Sequence, residues 1–193
     1  MPVPAATLAA LRPPFPSSPS PGPTRLRVPD LLYATDQAAD DVLSGRCDHL
    51  LPPGGIPASR RWFTRIHGDE ELDVWLISWV PGHPTELHDH GGSLGALTVV
   101  SGSLNEYRWD GRALRRRRLD AGDQAGFPLG WVHDVVWAPR PVSRRAVAAA
   151  QAAPTLSVHA YSPPLTAMSY YDITERKTLR RQRTELTDQP EGS

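Results

Sequence analysis

Two histidines, His88 and His90, lie one residue apart in the stretch ELHDHGG at residues 86–92. If this stretch is a β-strand, alternate side chains project to one face, so both imidazoles point the same way and Asp89 points the opposite way. The two residues are then about 7 Å apart along the strand, close enough to bind one metal ion. Two partly exposed polar residues at a strand end would show the same pattern, so the surrounding sequence has to decide.

A second row of polar residues lies in TLSVHAYSPPL at residues 155–165. Ser157, His159 and Tyr161 alternate with apolar residues, which predicts that all three share one face of a strand. Hydrogen bonds along the row would let Ser157 orient His159 and let His159 orient the phenol of Tyr161. Taken alone, His159 is more typical of a hydrogen-bonded histidine in a core.

Glycines and a third histidine surround these rows at regular spacing. One group is Gly82, His88, His90, Gly95 and Gly102, and a second, 19 residues further on, is Gly122, Pro128, Gly130 and His133. The two groups resemble the first and second motifs of the cupins, which are small antiparallel barrels of the jelly-roll class. The resemblance implies that His133 arrives from a facing strand as the third metal ligand.

The metal chemistry depends on Gly95, where cupins usually have a glutamate ligand. Three neutral histidines leave a divalent ion with its full charge and about three open positions, whereas most non-haem iron oxygenases keep a carboxylate in the triad. Such a site has room for a substrate that brings its own anion, such as a thiolate. Zinc remains an alternative, because three histidines also build hydrolytic zinc sites.

The Ser-x-His-x-Tyr row followed by Ser162-Pro163-Pro164, together with FTRI at 63–66 and SWVPGHPTELHDH at 78–90, resembles the cysteine dioxygenase family over more than half of the chain. The resemblance implies oxidation of L-cysteine by O₂ to cysteine sulfinic acid at Fe(II). The iron ligands would be His88, His90 and His133.

The same resemblance gives roles to the remaining site residues. Arg65 would bind the substrate carboxylate, for which a bidentate guanidinium is well suited. Tyr161, oriented by His159 and Ser157, would hydrogen-bond the developing sulfur–oxygen species.

Two positions depart from the animal members of the family. These carry a cysteine, cross-linked to the tyrosine, where this chain has Gly95, and the only cysteine here is Cys47. We therefore predict that Tyr161 carries no thioether, which a peptide map showing no loss of two hydrogens would check. Phe63 replaces a tyrosine near the carboxylate-binding arginine, which removes one substrate hydrogen bond.

Three other functions remain open. A 3-mercaptopropionate dioxygenase would use the same barrel, although that group typically lacks the arginine at position 65. Another cupin enzyme could use zinc or manganese for hydrolysis or isomerisation. A cupin without enzymatic activity would only bind a small ligand.

The elements that position these residues are mostly short strands. Segments rich in β-branched and aromatic residues, separated by glycine, proline or Asp-Gly, predict an all-β sandwich or barrel preceded by one or two short N-terminal helices. The motif resemblance implies that this is a cupin (jelly-roll) barrel. The frequent prolines predict that residues 1–28 are a disordered tail. We expect residues 29–175 to form a single domain and residues 176–193 to form a charged tail, helical only in part. Arg115 to Arg118 are typical of a solvated edge strand.

Composition limits the partners. The 21 basic and 21 acidic residues cancel, so no net charge attracts nucleic acid or an anionic membrane. One cysteine allows no disulfide framework within the chain, which suits a reducing compartment. We predict a cytoplasmic monomer whose partners are a small thiol and O₂, the monomer being implied by the family resemblance.

Overall fold

The computed structural model describes residues 26–139 and 154–192. Residues 1–25 of the tail predicted to be disordered lie outside the described residues, but the end of that segment joins the fold. Leu26 packs against the core and Val28 begins a helix. No helix in the described part of the chain is long and apolar enough to cross a membrane.

The helix α1 spans Val28–Leu43, and a single 3₁₀ turn follows at Asp48–Leu50. The carboxylate of Asp30 accepts a hydrogen bond of 2.7 Å from the backbone N–H of Arg27, which stabilises the first turn. The buried residues recur at helical spacing and form one stripe that packs on the barrel, namely Leu31, Thr35, Ala38 and Ala39.

The strands of the described residues form two antiparallel sheets. The five-stranded sheet has the order β1-β2-β9-β4-β7, with β1 Trp62–Gly68, β2 Asp73–Trp79, β4 Leu94–Ser101, β7 Gln124–Phe127 and β9 Thr155–Ser162. The six-stranded sheet has the order β11-β10-β3-β8-β5-β6, with β3 His88–Asp89, β5 Ser103–Trp109, β6 Leu114–Asp120, β8 His133–Trp137, β10 Ala167–Ile173 and β11 Leu179–Leu186.

Alternation along β2 shows how the sheets create two apolar layers. Trp75, Ile77 and Trp79 face the space between the sheets, while Val74 and Leu76 face α1 on the outer side. Because both faces are covered, the whole strand is buried. The inner layer is the barrel interior in which the predicted site residues meet.

The segment 176–193 is not the partly helical tail that its charge suggested. Its residues 179–186 form β11, which pairs with β10 at one edge of the six-stranded sheet. Arg183 lies 3.8 Å above the ring of Tyr170 and pairs with Glu86, so long-range contacts override the local helix preference of this charged stretch. At the opposite edge, β6 carries Arg115 to Arg118, largely exposed as predicted.

Candidate metal centre

The three predicted histidine ligands meet inside the barrel. His88 on β3 pairs across the ladder with His133 at the start of β8, and His90 follows two residues after His88. The Nε2 atoms of His90 and His133 lie 3.3 Å apart. All three side chains are buried.

His88 is oriented by the backbone immediately before it. Its Nδ1 donates a hydrogen bond of 2.9 Å to the carbonyl of Glu86, which leaves Nε2 with a free lone pair. Glu86 has φ of 63°, a conformation that costs energy for a residue other than glycine. Arg183 holds the Glu86 carboxylate at 3.0 Å and so fastens this turn to β11.

Asp89 projects away from the histidines, as the alternation predicts. Its carboxylate accepts hydrogen bonds from the N–H of Gly91 at 2.9 Å, the N–H of Ser169 at 3.3 Å and the hydroxyl of Tyr171 at 2.7 Å. These bonds tie the two-residue strand β3 to β10. The aspartate between the two ligands therefore fixes the backbone that carries them.

Glu106 stands behind His133 and escaped the sequence analysis. Its Oε1 lies 3.3 Å from His133 Nδ1 and accepts a hydrogen bond of 3.0 Å from Trp131, while Arg117 lies 2.6 Å from Oε2. Burial opposes ionisation, but His133, Trp131 and Arg117 hold the pKa of Glu106 below its ordinary value. An acidic residue on the same face of β5 as buried Leu104 was the signal that could have revealed it.

A fourth donor, Glu191, also escaped prediction. Its Oε2 lies 2.8 Å from His88 Nε2, 3.7 Å from His133 Nε2 and 4.0 Å from His90 Nε2. One donor atom from each of these four residues lies within 4.8 Å of the others. The carboxylate thus comes from the segment after β11, far in sequence from Gly95, where cupins usually have their glutamate.

The donor atoms fit a bound cation. Although they lie close together, His88 Nε2 and Glu191 Oε2 make no hydrogen bond within the described part of the chain. Two buried polar atoms would be costly in that state unless a third partner satisfied both. Donors about 2.1 Å from one metal ion and at right angles to each other lie about 3 Å apart, close to the spacings found here.

The protonation of the cluster also suits a cation. Burial lowers the pKa of His90 to about 4, so its ring is neutral at pH 7 and can act as a ligand. Burial opposes ionisation of Glu191, but the neighbouring His159 and His88 hold the pKa of this carboxyl well below its usual range. Burial also opposes protonation of His88, but Glu191 raises the pKa of this imidazole, so a metal ion at His88 Nε2 would take the place of that proton.

The Ser157, His159 and Tyr161 row faces the histidines from β9 of the other sheet. Trp79 Nε1 donates to Ser157 Oγ at 2.7 Å, and Ser157 Oγ lies 2.9 Å from His159 Nε2. The Tyr161 hydroxyl lies 3.4 Å from His159 Nδ1, and the rings of Tyr161 and His90 are 5.1 Å apart.

Charge and burial set the protonation of this row. Burial lowers the pKa of His159, which keeps the ring neutral. Burial and the Glu191 carboxylate raise the pKa of Tyr161 well above its ordinary value. The phenol is therefore a hydrogen-bond donor at neutral pH rather than a phenolate.

Arg65, the predicted carboxylate ligand, lies at the rim of the barrel. Its side chain is 45% exposed, with Nε 3.3 Å from Asp73 and the guanidinium 4.5 Å above the ring of Trp75. It also donates a hydrogen bond of 3.2 Å to the carbonyl of Asp188. Its charge is thus already paired with a carboxylate of the protein.

A second arginine, Arg61, directly precedes β1 and is more deeply placed. It stacks 3.9 Å above Trp79 and donates to the carbonyl of Glu191 at 2.9 Å. Within the described residues its Nε and Nη1 have no hydrogen-bond partner. Burial lowers the pKa of Arg61 to about 10. Its position four residues before Arg65 could have revealed it, because every second residue shares a face.

The side chains packed around Gly95 leave no room for a larger residue at this position. It pairs directly with Tyr161 across the β4–β9 ladder. A Cβ atom at this position would lie 2.8 Å from His90 Nδ1 and 3.0 Å from Phe127 Cδ2. The ring of His90 therefore fills the volume that a side chain at residue 95 would need.

Two packed antiparallel sheets enclosing a histidine cluster define a metal-binding cupin, and the predicted fold class is confirmed. The family model described as cysteine dioxygenase type I matches residues 57–174, which is more than half of the chain. The chain therefore belongs to this family. Family and cluster together fit a metal-dependent thiol dioxygenase. The matched region ends before Glu191.

Solved structures with a similar fold include three at low identity. A double-stranded β-helix protein from Klebsiella pneumoniae is 19% identical over 60% of this chain and 85% of its own, with a TM-score of 0.44. KdgF from Halomonas sp. is 17% identical over 53% and 80%, with a TM-score of 0.42. The Cnp3 cupin domain of Schizosaccharomyces pombe is 6% identical over 56% and 64%, with a TM-score of 0.43.

Proposed function

We propose that this protein is an iron-dependent dioxygenase that converts L-cysteine and O₂ to cysteine sulfinic acid, with both oxygen atoms retained on sulfur. The observation that carries the proposal is the buried three-histidine cluster, which faces the Ser157, His159 and Tyr161 row inside the barrel. Membership of the cysteine dioxygenase family gives the reaction class.

The histidines and the metal have separate tasks in this proposal. His88, His90 and His133 would hold ferrous iron, whose chemistry when bound is the acidification of the thiol and the activation of O₂. The chain contributes three buried imidazoles, the hydrogen bond from His88 Nδ1 to the Glu86 carbonyl and a buried surrounding from which bulk water is excluded.

The row on β9 would act on the reacting sulfur and oxygen atoms. The hydroxyl of Ser157 accepts from Trp79 and can donate to His159 Nε2, which leaves the proton of His159 on Nδ1, on the side of Tyr161. The Tyr161 hydroxyl, kept protonated, would then donate a hydrogen bond to the oxygen that forms on sulfur.

The substrate carboxylate has two candidate partners. Arg65 is the residue at the family's carboxylate-binding position, whereas Arg61 is the buried guanidinium with unfilled donors. Both favour a thiol that carries a carboxylate. Because Arg65 already faces Asp73, we keep 3-mercaptopropionate, which lacks the amine of cysteine, as the second candidate substrate.

The first test is oxygen uptake by anaerobically iron-loaded protein with L-cysteine and 3-mercaptopropionate in parallel, with products followed by mass. Preference for cysteine and a product heavier by about 32 mass units, the two added oxygen atoms of this reaction, would support the proposal. Preference for 3-mercaptopropionate would keep the dioxygenase reaction but replace L-cysteine as the proposed substrate. No uptake with either thiol would point to another class of cupin.

The contribution of Arg65 is tested by its replacement. Arg65→Ala should raise KM for L-cysteine by at least about tenfold, because a charge-assisted hydrogen bond is lost, and should leave KM for cysteamine, which has no carboxylate, nearly unchanged. Arg61→Met tests the other arginine in the same way, because it removes the guanidinium but keeps an apolar side chain against Trp79. Equal effects of Arg65→Ala on both thiols would remove Arg65 from the carboxylate site.

A further inference from the structure

The segment that follows β11 turns back over the mouth of the barrel, and residues 187–192 are here called the strap. Thr187 N–H donates to the carbonyl of Thr166 at 3.0 Å, where the strap leaves the sheet. Pro190 and Glu191 are buried although Asp188 and Gln189 are exposed. The strap therefore enters the protein interior over only two residues.

Two arginines, one directly before β1 and one on it, hold the backbone of the strap. Arg65 donates to the carbonyl of Asp188 and Arg61 to that of Glu191. Gly192 has φ of 72° and closely approaches the guanidinium of Arg61, so a side chain there would not fit. One donor of each candidate carboxylate-binding arginine is thus occupied by a main-chain oxygen of the strap.

The carboxylate of Glu191 reaches both halves of the site. Oε2 faces the histidine cluster, nearest to His88 at 2.8 Å, while Oε1 lies 2.6 Å from His159 Nδ1 and 3.4 Å from the Tyr161 hydroxyl. Glu191 is 1% exposed. It therefore takes the contact with His159 through which that residue would otherwise orient Tyr161.

We propose that Glu191 is a tethered fourth ligand of the metal, which a thiol substrate must displace before reaction. This inference rests on the proposed function and adds a means of control to the same site. An anionic carboxylate and an anionic thiolate compete for the positions that three neutral histidines leave open. Withdrawal of the strap would free these positions, the two arginines and His159 together.

The surface beside the strap offers a path for the exchange. A polar depression of about 330 Å³ is lined by Arg61, His83, Arg183 and Gly192 among others. It lies against the last described residue of the strap and the guanidinium of Arg61. Because Gly192 lines this depression and directly follows Glu191, the depression is the side from which a thiol would reach the metal centre in this proposal.

Because Glu191 is tethered to the chain, the changes in thiol and metal affinity on its removal can be estimated. A ligand on a short segment competes at an effective concentration in the millimolar range, so its loss should tighten thiol binding at least about fivefold. The loss of one anionic donor should weaken metal binding by at least about tenfold. The two effects have opposite signs, which a general loss of structure would not produce.

The experiment uses the full chain loaded anaerobically with Co(II) and titrated with L-cysteine and with 3-mercaptopropionate. Thiolate-to-cobalt absorbance gives the apparent Kd, and competition with a chelator gives the Co(II) affinity without thiol. Glu191→Gln and Glu191→Ala are the test variants. Glu175→Gln, the same chemical change at an exposed turn, is the matched control.

Weaker Co(II) binding together with tighter thiol binding in both Glu191 variants, and neither in Glu175→Gln, supports the proposal. Unchanged Co(II) affinity, or thiol affinity no tighter than in the unaltered chain, overturns it. These readouts need no turnover. A chain that oxidises no thiol but shows the Glu191 effects would refute the proposed dioxygenase while keeping Glu191 as a displaceable ligand.

Discussion

At the scale of single residues, the metal centre depends on the absence of a side chain at one position as much as on the donor atoms of the others. Gly95 leaves room for the ring of His90, and the fourth donor comes from Glu191 instead of from β4. The loss of the usual cupin glutamate is thus coupled to the packing of a ligand. A carboxylate at residue 95 would need His90 and Phe127 to move.

Gly95→Ala tests this packing. The added methyl group would lie 2.8 Å from His90 Nδ1, so we expect the ring to rotate and Co(II) affinity to fall by about tenfold. Gly92→Ala is the control, because no heavy atom lies within 4 Å of a Cβ placed there. Equal affinities of the two variants, measured by chelator competition, would show that the ring adapts without loss.

At the scale of elements, alternation in the sequence carried most of the information. The period-two pattern placed His88, His90, Ser157, His159 and Tyr161 on inward faces because such a pattern is local. The same rule reaches Arg61 and Glu106, which share faces with Arg65 and Leu104. It could not reach Glu191, because the strap has no periodicity and its position is fixed by hydrogen bonds to Arg61 and Thr166.

The helix α1 should stabilise the barrel without touching the metal centre. Leu31 is fully buried between α1 and the outer face of the five-stranded sheet, so Leu31→Ala should cost about 2–5 kcal/mol of unfolding free energy. Tyr33→Ala on the same helix, where the ring is 67% exposed, is the control. Urea unfolding measures the loss. A lowered Co(II) affinity in folded Leu31→Ala would contradict this separation.

At the scale of the whole molecule, a bound ion would link the two halves of the barrel. His88 and His133 belong to the six-stranded sheet, whereas Glu191 also contacts His159 of the five-stranded sheet. Separated buried donors cost energy in the metal-free protein, and an ion that binds only the folded chain shifts the unfolding equilibrium. Global stability should therefore depend on metal content.

Removal of the metal should lower the thermal midpoint. At free metal about 100 times its Kd, binding adds about 2.7 kcal/mol to the unfolding free energy. Differential scanning fluorimetry of Co(II)-loaded protein with and without chelator measures the change. His133→Ala, which lacks one ligand, should show a much smaller response. The same midpoint with and without chelator in the unaltered chain would argue against a structural contribution of the ion.

The three hydrogen bonds to Asp89 allow the ligand strand β3 to open locally while the rest of the barrel stays folded. Because β3 is only two residues long, the amides of Gly91 and Ser169 are held mainly by this carboxylate. Their hydrogen exchange should follow a local opening of lower free energy than global unfolding. In Asp89→Asn these two amides should exchange faster while those of β9 keep their rates, and uniform acceleration would show that the ligand strand opens only with the whole protein.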